Sequence, residues 1–140
     1  MPKQFYKLNG KEILSYSVST FCKHPQIDEV VIVCPPDWTE HVKSKYPECI
    51  VTVGGKRRQD SSLNGVMTTS HKTEIVLIHD AARPFVSETI ITDCLAVLEK
   101  YLGLASQNEK VSNQKLLFEL FEKVSTVNLN CHKNNLAKIC

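Results

Sequence analysis

No apolar run in this chain approaches the ~20 residues that a membrane-spanning helix requires; the runs at residues 30–34 and 75–78 fall far short. No charge of one sign dominates either. With 17 basic against 15 acidic side chains, the net charge of +2 is too small for sequence-independent phosphate binding, which needs clustered cations. Nucleic acid is therefore not an expected partner. No C-x-x-C pair occurs among the six cysteines, Cys22, Cys34, Cys49, Cys94, Cys131 and Cys140, so neither a zinc ribbon nor a dithiol redox motif is written in the spacing. They are expected to be reduced, mostly buried thiols. The opening, M-P-K-Q-F-Y-K-L-N-G-K, is polar where a signal peptide is apolar and carries no arginine. A cytoplasmic protein without a membrane partner is the expectation.

What is present suits one α/β domain. The chain has 140 residues, 42% of them apolar, enough to bury a core. Residues 1–103 hold all five glycines, all six prolines and 12 charges of each sign. Residues 104–140 have no glycine or proline but six of the eight asparagines, so 103/104 is a compositional seam. Before it, short β-branched runs at residues 29–33, 50–53 and 75–79 read as parallel strands buried on both faces. Helical spacing falls between and after them, at residues 12–22, 37–46, 59–70 and 87–101, the last opening on Ser87 as N-cap and stopping at Gly103. The alternation is that of a doubly wound, mostly parallel sheet. In the tail, Leu116, Leu117, Leu120, Phe121 and Val124 form a helical stripe, and residues 125–130 have strand character.

In such sheets ligands bind beyond the carboxyl ends of the strands, which selects the residues that follow each run. After residues 50–53 comes Gly54-Gly55-Lys56-Arg57-Arg58-Gln59-Asp60-Ser61, a glycine pair entering a helix. It reads as a solvated basic loop or as a phosphate or nucleotide contact. After residues 75–79 comes Asp80-Ala81-Ala82-Arg83-Pro84-Phe85. A carboxylate there can hold Mg²⁺ and bridge it to substrate phosphates, and Arg83 offers a planar fork for phosphate; alternatively the two pair with each other or cap the next helix. At the start, Lys3 is either a solvated terminal lysine or a point charge on a phosphate. His79 reads as a hydrogen-bonded core histidine. Trp38 and His41, on one helical face, read as packing residues, and Lys56 and Arg57 as solvent-facing.

P-K-Q-F at the start, G-G-x-x-R-Q-D-S-x-x-N-G in the middle and H-D-A-A-R-P-F at residues 79–85 stand in this order and spacing in 2-C-methyl-D-erythritol 4-phosphate cytidylyltransferases, which residues 2–103 resemble. The ribitol-5-phosphate cytidylyltransferases are similar, and P-P-D-W-T-E-H at residues 35–41 leans toward them. The resemblance implies a Rossmann-like nucleotidyltransferase that joins CTP to a polyol phosphate and releases pyrophosphate, in non-mevalonate isoprenoid synthesis for the first family. It implies that Lys3 stabilises charge on the α-phosphate and that Gly55 and Ser61 contact the cytosine. Asp80 then lies near the metal, the ribose and the acceptor, and Arg83 helps hold the polyol phosphate; Arg58, also in the motif, reads as a structural support of the loop more than a direct contact.

The family's A-A-G-x-G-x-R-M-G loop has no counterpart before Pro2. Its P-V-x-D-T strand, dimerisation arm, L-W-x-x-Q-T-P-Q stretch and late lysine have none after Leu104. The family is homodimeric through that arm. Residues 1–103 thus read as a partial cytidylyltransferase domain and 104–140 as a divergent tail, with an inactive nucleotide-binding remnant as the competing reading. In a 3-2-1-4 sheet the first strand, which leads into the missing loop, separates residues 29–33 from 75–79. Each buried, unpaired backbone group costs ~1–3 kcal/mol, so these two strands are expected to pair directly or to leave a marginal, self-associating edge.

Overall fold

The computed structural model describes residues 1–105. The helical stripe at residues 116–124, the strand-like segment 125–130, Cys131, Cys140 and nearly all of the tail lie outside the described residues. Chain contacts divide at Thr92/Asp93, within the last described helix.

Lys3–Phe5 forms a 3₁₀ turn. A two-stranded antiparallel hairpin follows, β1 (Lys7–Leu8) against β2 (Lys11–Glu12). Its turn is Asn9-Gly10, with φ of 49° and 79°, the left-handed pair that a two-residue hairpin loop demands. The dipeptide is a hairpin signal in its own right, yet so short a hairpin has no hydrophobic alternation to mark it. Helix α1 (Ile13–Lys23) buries Leu14, Ser17, Val18 and Phe21 along one stripe.

The central unit is a parallel pair, β3 (Val31–Cys34) beside β4 (Ile50–Val53), in register Val31↔Ile50 through Cys34↔Val53. A crossover joins them: a 3₁₀ turn at Pro36–Trp38, then α2 (Thr39–Lys45). Pro35 and Pro36 stop β3, because proline cannot continue the ladder, and start the turn with a preset φ. All four residues of β3 are buried, as its unbroken apolar run requires. β4 departs from expectation. Ile50 and Val53 are each about 40% exposed, so this strand, expected to be buried on both faces, lies at an edge.

Residues 75–79, expected as a third parallel strand, are not one: a single bridge residue at His79 is all the pairing they show. Burial still alternates along the segment at Leu77, His79 and Ala81, the period of an extended chain lying on a core. The run has the side-chain pattern of a strand, but among the described residues no ladder forms along it beyond that one bridge, so apolar burial does most of the holding. The strand partner of β3 among the described residues is β4. No ladder joins residues 75–79 to β3 among the described residues.

Helix α3 (Arg58–Thr68) lies against β3 and β4, and Gly65 sets that approach: a Cβ there would stand 2.9 Å from Val33 Cγ2. Gly65→Ala gains helix propensity of about 1 kcal/mol, but overpacking against a buried strand costs ~1–3 kcal/mol. A net loss of about 1 kcal/mol in urea unfolding is expected. Helix α4 (Glu88–Ala105) opens as read, with Ser87 Oγ accepting the Ile90 amide at 3.2 Å. It does not stop at Gly103 but runs two residues past it. Glycine weakens a helix interior without ending it, and no proline follows. No helix among the described residues is long and apolar enough to cross a membrane.

The core gathers Phe5, Leu14, Val18, Ile32, Cys34, Val42, Tyr46 and Ala81. Of the described cysteines, all free thiols, only Cys34 is buried; Cys22 is exposed and Cys49 and Cys94 are partly so. Mostly buried thiols were expected, but Cys22 falls on the solvent side of the α1 stripe that carries Leu14, Val18 and Phe21 inward.

Candidate functional site

The turn that leaves β4 is built by local bonds. The Gly54 amide donates to Cys34 O at 2.9 Å, extending the ladder one step beyond β4. Asn64 Nδ2 donates to Val53 O at 3.0 Å, tying α3 to the strand end. The Gly55 amide donates to Ser61 Oγ at 3.0 Å, so the two groups expected to face a base satisfy each other in this structure. Glycine is required at position 55, where a Cβ would stand 2.4 Å from Asp60 Cβ. Arg57 faces solvent, as expected, and also closes on Asp60: the Asp60 carboxylate accepts the Arg57 amide at 3.2 Å and its guanidinium at 3.0 and 2.7 Å. Those hydrogen bonds hold Asp60 below its usual carboxylate value. An acid in the first helical turn reaching back to the N-cap amide also suits the helix dipole. The i,i+3 spacing carries that signal in the sequence.

The second turn hangs from His79. Its ring is buried against Phe21, centroids 5.4 Å apart, and Nε2 donates to Arg83 O at 2.8 Å, which folds residues 79–83 back on themselves. His79 is the core histidine expected. Burial pushes it below its ordinary value, outweighing the bond to Arg83 O. The folded chain thus holds this ring neutral where the unfolded chain, at ~6.5, is already binding a proton. Stability from this group is full above pH ~6.5 and declines as pH falls from there toward the folded value. The wild-type Tm is expected to drop between pH 7.5 and 5.5 more steeply than that of His79→Phe, checked by thermal scans at fixed ionic strength.

Asp80 stands at the tip of that turn. Oδ1 accepts the Ala82 amide at 3.1 Å, and Oδ2 accepts Arg58 Nη2 at 3.1 Å with Arg83 Nε at 3.7 Å. Burial pushes this carboxyl up, but the Ala82 bond and the two guanidinium charges outweigh it and leave Asp80 below its usual value. It is an anion at neutral pH with its side chain about one-third exposed. The Arg58–Asp80 pair joins the glycine-pair turn to the H-D-A-A-R-P-F turn across 22 residues. Arg58, read as a support of its loop, makes this link with its guanidinium. Arg83 leans on Asp80, and at 81% side-chain exposure most of its fork is open to solvent.

Lys3 makes no hydrogen bond or ion pair to this cluster among the described residues. Its position is set by Phe5, which stacks on Trp38 with ring centroids 4.1 Å apart and planes 9° from parallel, His41 meeting both rings edge-on. Trp38 and His41 are packing residues, as read. Beneath them the Glu12 carboxylate is buried and accepts His41 Nε2 and Lys45 Nζ, both at 2.9 Å, and Tyr46 OH at 3.3 Å. Burial pushes the Tyr46 hydroxyl up to about 12. Composition gave no sign of this network, whose members lie 29 to 34 residues from Glu12.

With that geometry in place, the comparisons bear on identity. The family model for 2-C-methyl-D-erythritol 4-phosphate cytidylyltransferase (IspD) matches residues 1–108. The chain is 39% identical over 124 residues to the enzyme of that name from Clostridium botulinum strain Langeland, covering 81% of this chain and 54% of the relative. It is 42% identical over 105 residues to that of strain Okra, covering 71% and 46%. In structure it is similar to 4-diphosphocytidyl-2C-methyl-D-erythritol synthase from Anaerococcus prevotii, with a TM-score of 0.64 and 26% identity over 67% of this chain and 43% of that one. The chain spans about half the length of the curated relatives it matches. Three ordered motifs, two of them brought together by the Arg58–Asp80 pair, and a match over most of its length place this chain in the 2-C-methyl-D-erythritol 4-phosphate cytidylyltransferase family.

Proposed function

We propose that this chain carries the cytidine- and acceptor-binding part of a nucleotidyltransferase that moves CMP from CTP to 2-C-methyl-D-erythritol 4-phosphate. The observation that carries this reading is the meeting of the two loop motifs at Arg58 and Asp80, on the open side of the sheet's carboxyl end.

In the reaction a phosphate oxygen of the acceptor attacks the α-phosphorus of CTP, the bond to the pyrophosphate oxygen breaks, and pyrophosphate leaves. No covalent enzyme intermediate forms, so positioning and charge neutralisation do the catalysis. The Gly55 amide and the Ser61 hydroxyl read the cytosine edge by exchanging their mutual bond for bonds to the base. Arg83 offers its exposed fork to the acceptor phosphate. Lys3, an exposed point charge two residues from the stacked Phe5, meets the α-phosphate.

Asp80 suits Mg²⁺: it is ionised, open to solvent on one side, and each oxygen uses one strong bond where a carboxylate can accept two. The ion, when bound, would neutralise triphosphate charge. Arg58 and the Ala82 amide hold the carboxylate in place for it.

Calorimetric titration of the purified chain with CTP tests the reading. Binding that requires Mg²⁺, and that 2-C-methyl-D-erythritol 4-phosphate strengthens more than ribitol 5-phosphate does, is the expected result. Absence of any CTP heat with either acceptor present overturns it.

A further inference from the structure

At the opposite end of β4 from the glycine turn, three donors converge that the proposed reaction does not use. Cys22 Sγ, in the last turn of α1, lies 3.7 Å from Cys49 Sγ, in the turn before β4. The Glu48 carboxylate joins them, and the three donor atoms all lie within 4.8 Å of one another. We propose that Cys22, Glu48 and Cys49 form a binding site for a thiophilic divalent cation of the zinc class.

The spacing fits the ion. Two thiolates bound at about 2.3 Å to one tetrahedral Zn²⁺ stand roughly 3.8 Å apart, close to the separation found here. A carboxylate oxygen bound at about 2.1 Å stands roughly 3.6 Å from each sulfur, within the span of the cluster. The donor set, two thiolates and one carboxylate, selects zinc or cobalt over magnesium and calcium, which take oxygen ligands. Cys22 and Glu48 are exposed, so an ion can enter from solvent and keep water in its fourth position.

The backbone around the donors is fixed without the ion. The Cys49 amide donates to Tyr46 O at 3.0 Å, and the next amide, of Ile50, donates to Val30 O at 2.9 Å. Cys49 is thereby clamped on both sides. Cys22 is held by its helix, which the His24 amide closes by donating to Phe21 O at 3.2 Å. An ion here would tie the end of α1 to the start of β4. Four residues of strand, about 13 Å, separate it from the glycine turn. The site is a staple, remote from the nucleotide end of the sheet.

Cobalt is the probe. The full chain, stripped of metal and kept reduced with a phosphine, is titrated with Co²⁺ alone. One ion per chain, with thiolate-to-cobalt charge transfer and the strong visible bands of a tetrahedral centre, is expected. Cys22→Ser and Cys49→Ser each abolish those bands, and Glu48→Gln weakens binding about tenfold. The double variant Cys131→Ser/Cys140→Ser retains them. Zn²⁺ raises the Tm of the wild type and leaves that of Cys22→Ser unchanged, while CTP titrations are the same for both proteins, which keeps this result separate from the nucleotide reading. A chain that shows no tetrahedral cobalt spectrum overturns the proposal. So does a spectrum that survives Cys22→Ser and Cys49→Ser, or one lost in the Cys131/Cys140 double variant.

Discussion

Replacing Asp80 by alanine is expected to weaken Mg²⁺-dependent CTP binding about 100-fold, ~2.7 kcal/mol, while leaving the fold nearly as stable as before. The two effects separate because of where the partners lie. Arg58 and Arg83 have side chains 61% and 81% exposed, so losing Asp80 releases them into water, not into a buried void. Pairs of that kind contribute ~0–1 kcal/mol to folding. The Ala82 amide loses an acceptor in a partly exposed turn that water can reach. Asp80→Asn sharpens the test, because its amide oxygen still accepts from Ala82, while the NH2 in place of Oδ2 gives up the Arg58 bond and leaves no charge for a hard cation. Both variants should melt within a few degrees of wild type and lose the Mg²⁺ dependence of the calorimetric signal. Mg²⁺-dependent CTP affinity unchanged in Asp80→Asn would remove the carboxylate from the site.

The largest effect on stability is expected at Glu12. Its carboxylate is buried, and three donors from α2 and the residue after it close on it. Truncating one member of such a network costs up to ~3–5 kcal/mol where a buried charge is stranded. Here Lys45 and His41 have side chains 37% and 43% exposed and can turn to solvent, which lowers the cost. Tyr46 keeps Ser15, whose hydroxyl lies 2.7 Å from its own. Glu12→Ala should therefore cost about 2–3 kcal/mol, from lost charged hydrogen bonds and the void left under the aromatic cluster. Against a total of ~5–15 kcal/mol this is a large fraction, readable as a lower urea midpoint.

The same residue sets a pH dependence. Burial pushes the Glu12 carboxyl up, but the hydrogen bonds and charges of Lys45 and His41 together outweigh it and leave the group below its ordinary value. A carboxyl depressed in the folded state contributes stability that is full above the unfolded value of ~4.3 and is lost as pH falls through the folded one. Wild type should weaken across that acidic window, and Glu12→Gln should flatten the slope there. Equal slopes would show that the network does not discriminate between charged and neutral Glu12.

The parts of the fold that could be read in advance are those whose determinants are local. β4 occupies residues 50–53 as its β-branched run indicates, and α1 and α3 begin within one residue of where helical spacing starts. Residues 75–79 show the limit of that reading. Their side chains alternate as a strand's do, but a strand exists only when a neighbour accepts and donates backbone bonds, and periodicity is silent about neighbours. The Asn9-Gly10 hairpin was legible in principle and too short to stand out.

At the site, the sequence alone determined which residue types follow each strand run and, through three ordered motifs, which family they belong to, because motif spacing is a property of the chain. The pairing of Arg58 with Asp80, the burial of Glu12 and the approach of Cys22 to Cys49 were decided only by the tertiary structure. Each joins residues 22 to 34 positions apart, and such a meeting depends on how α1, α2 and α3 pack on the β3–β4 pair, a balance of burial and backbone pairing that no local pattern encodes.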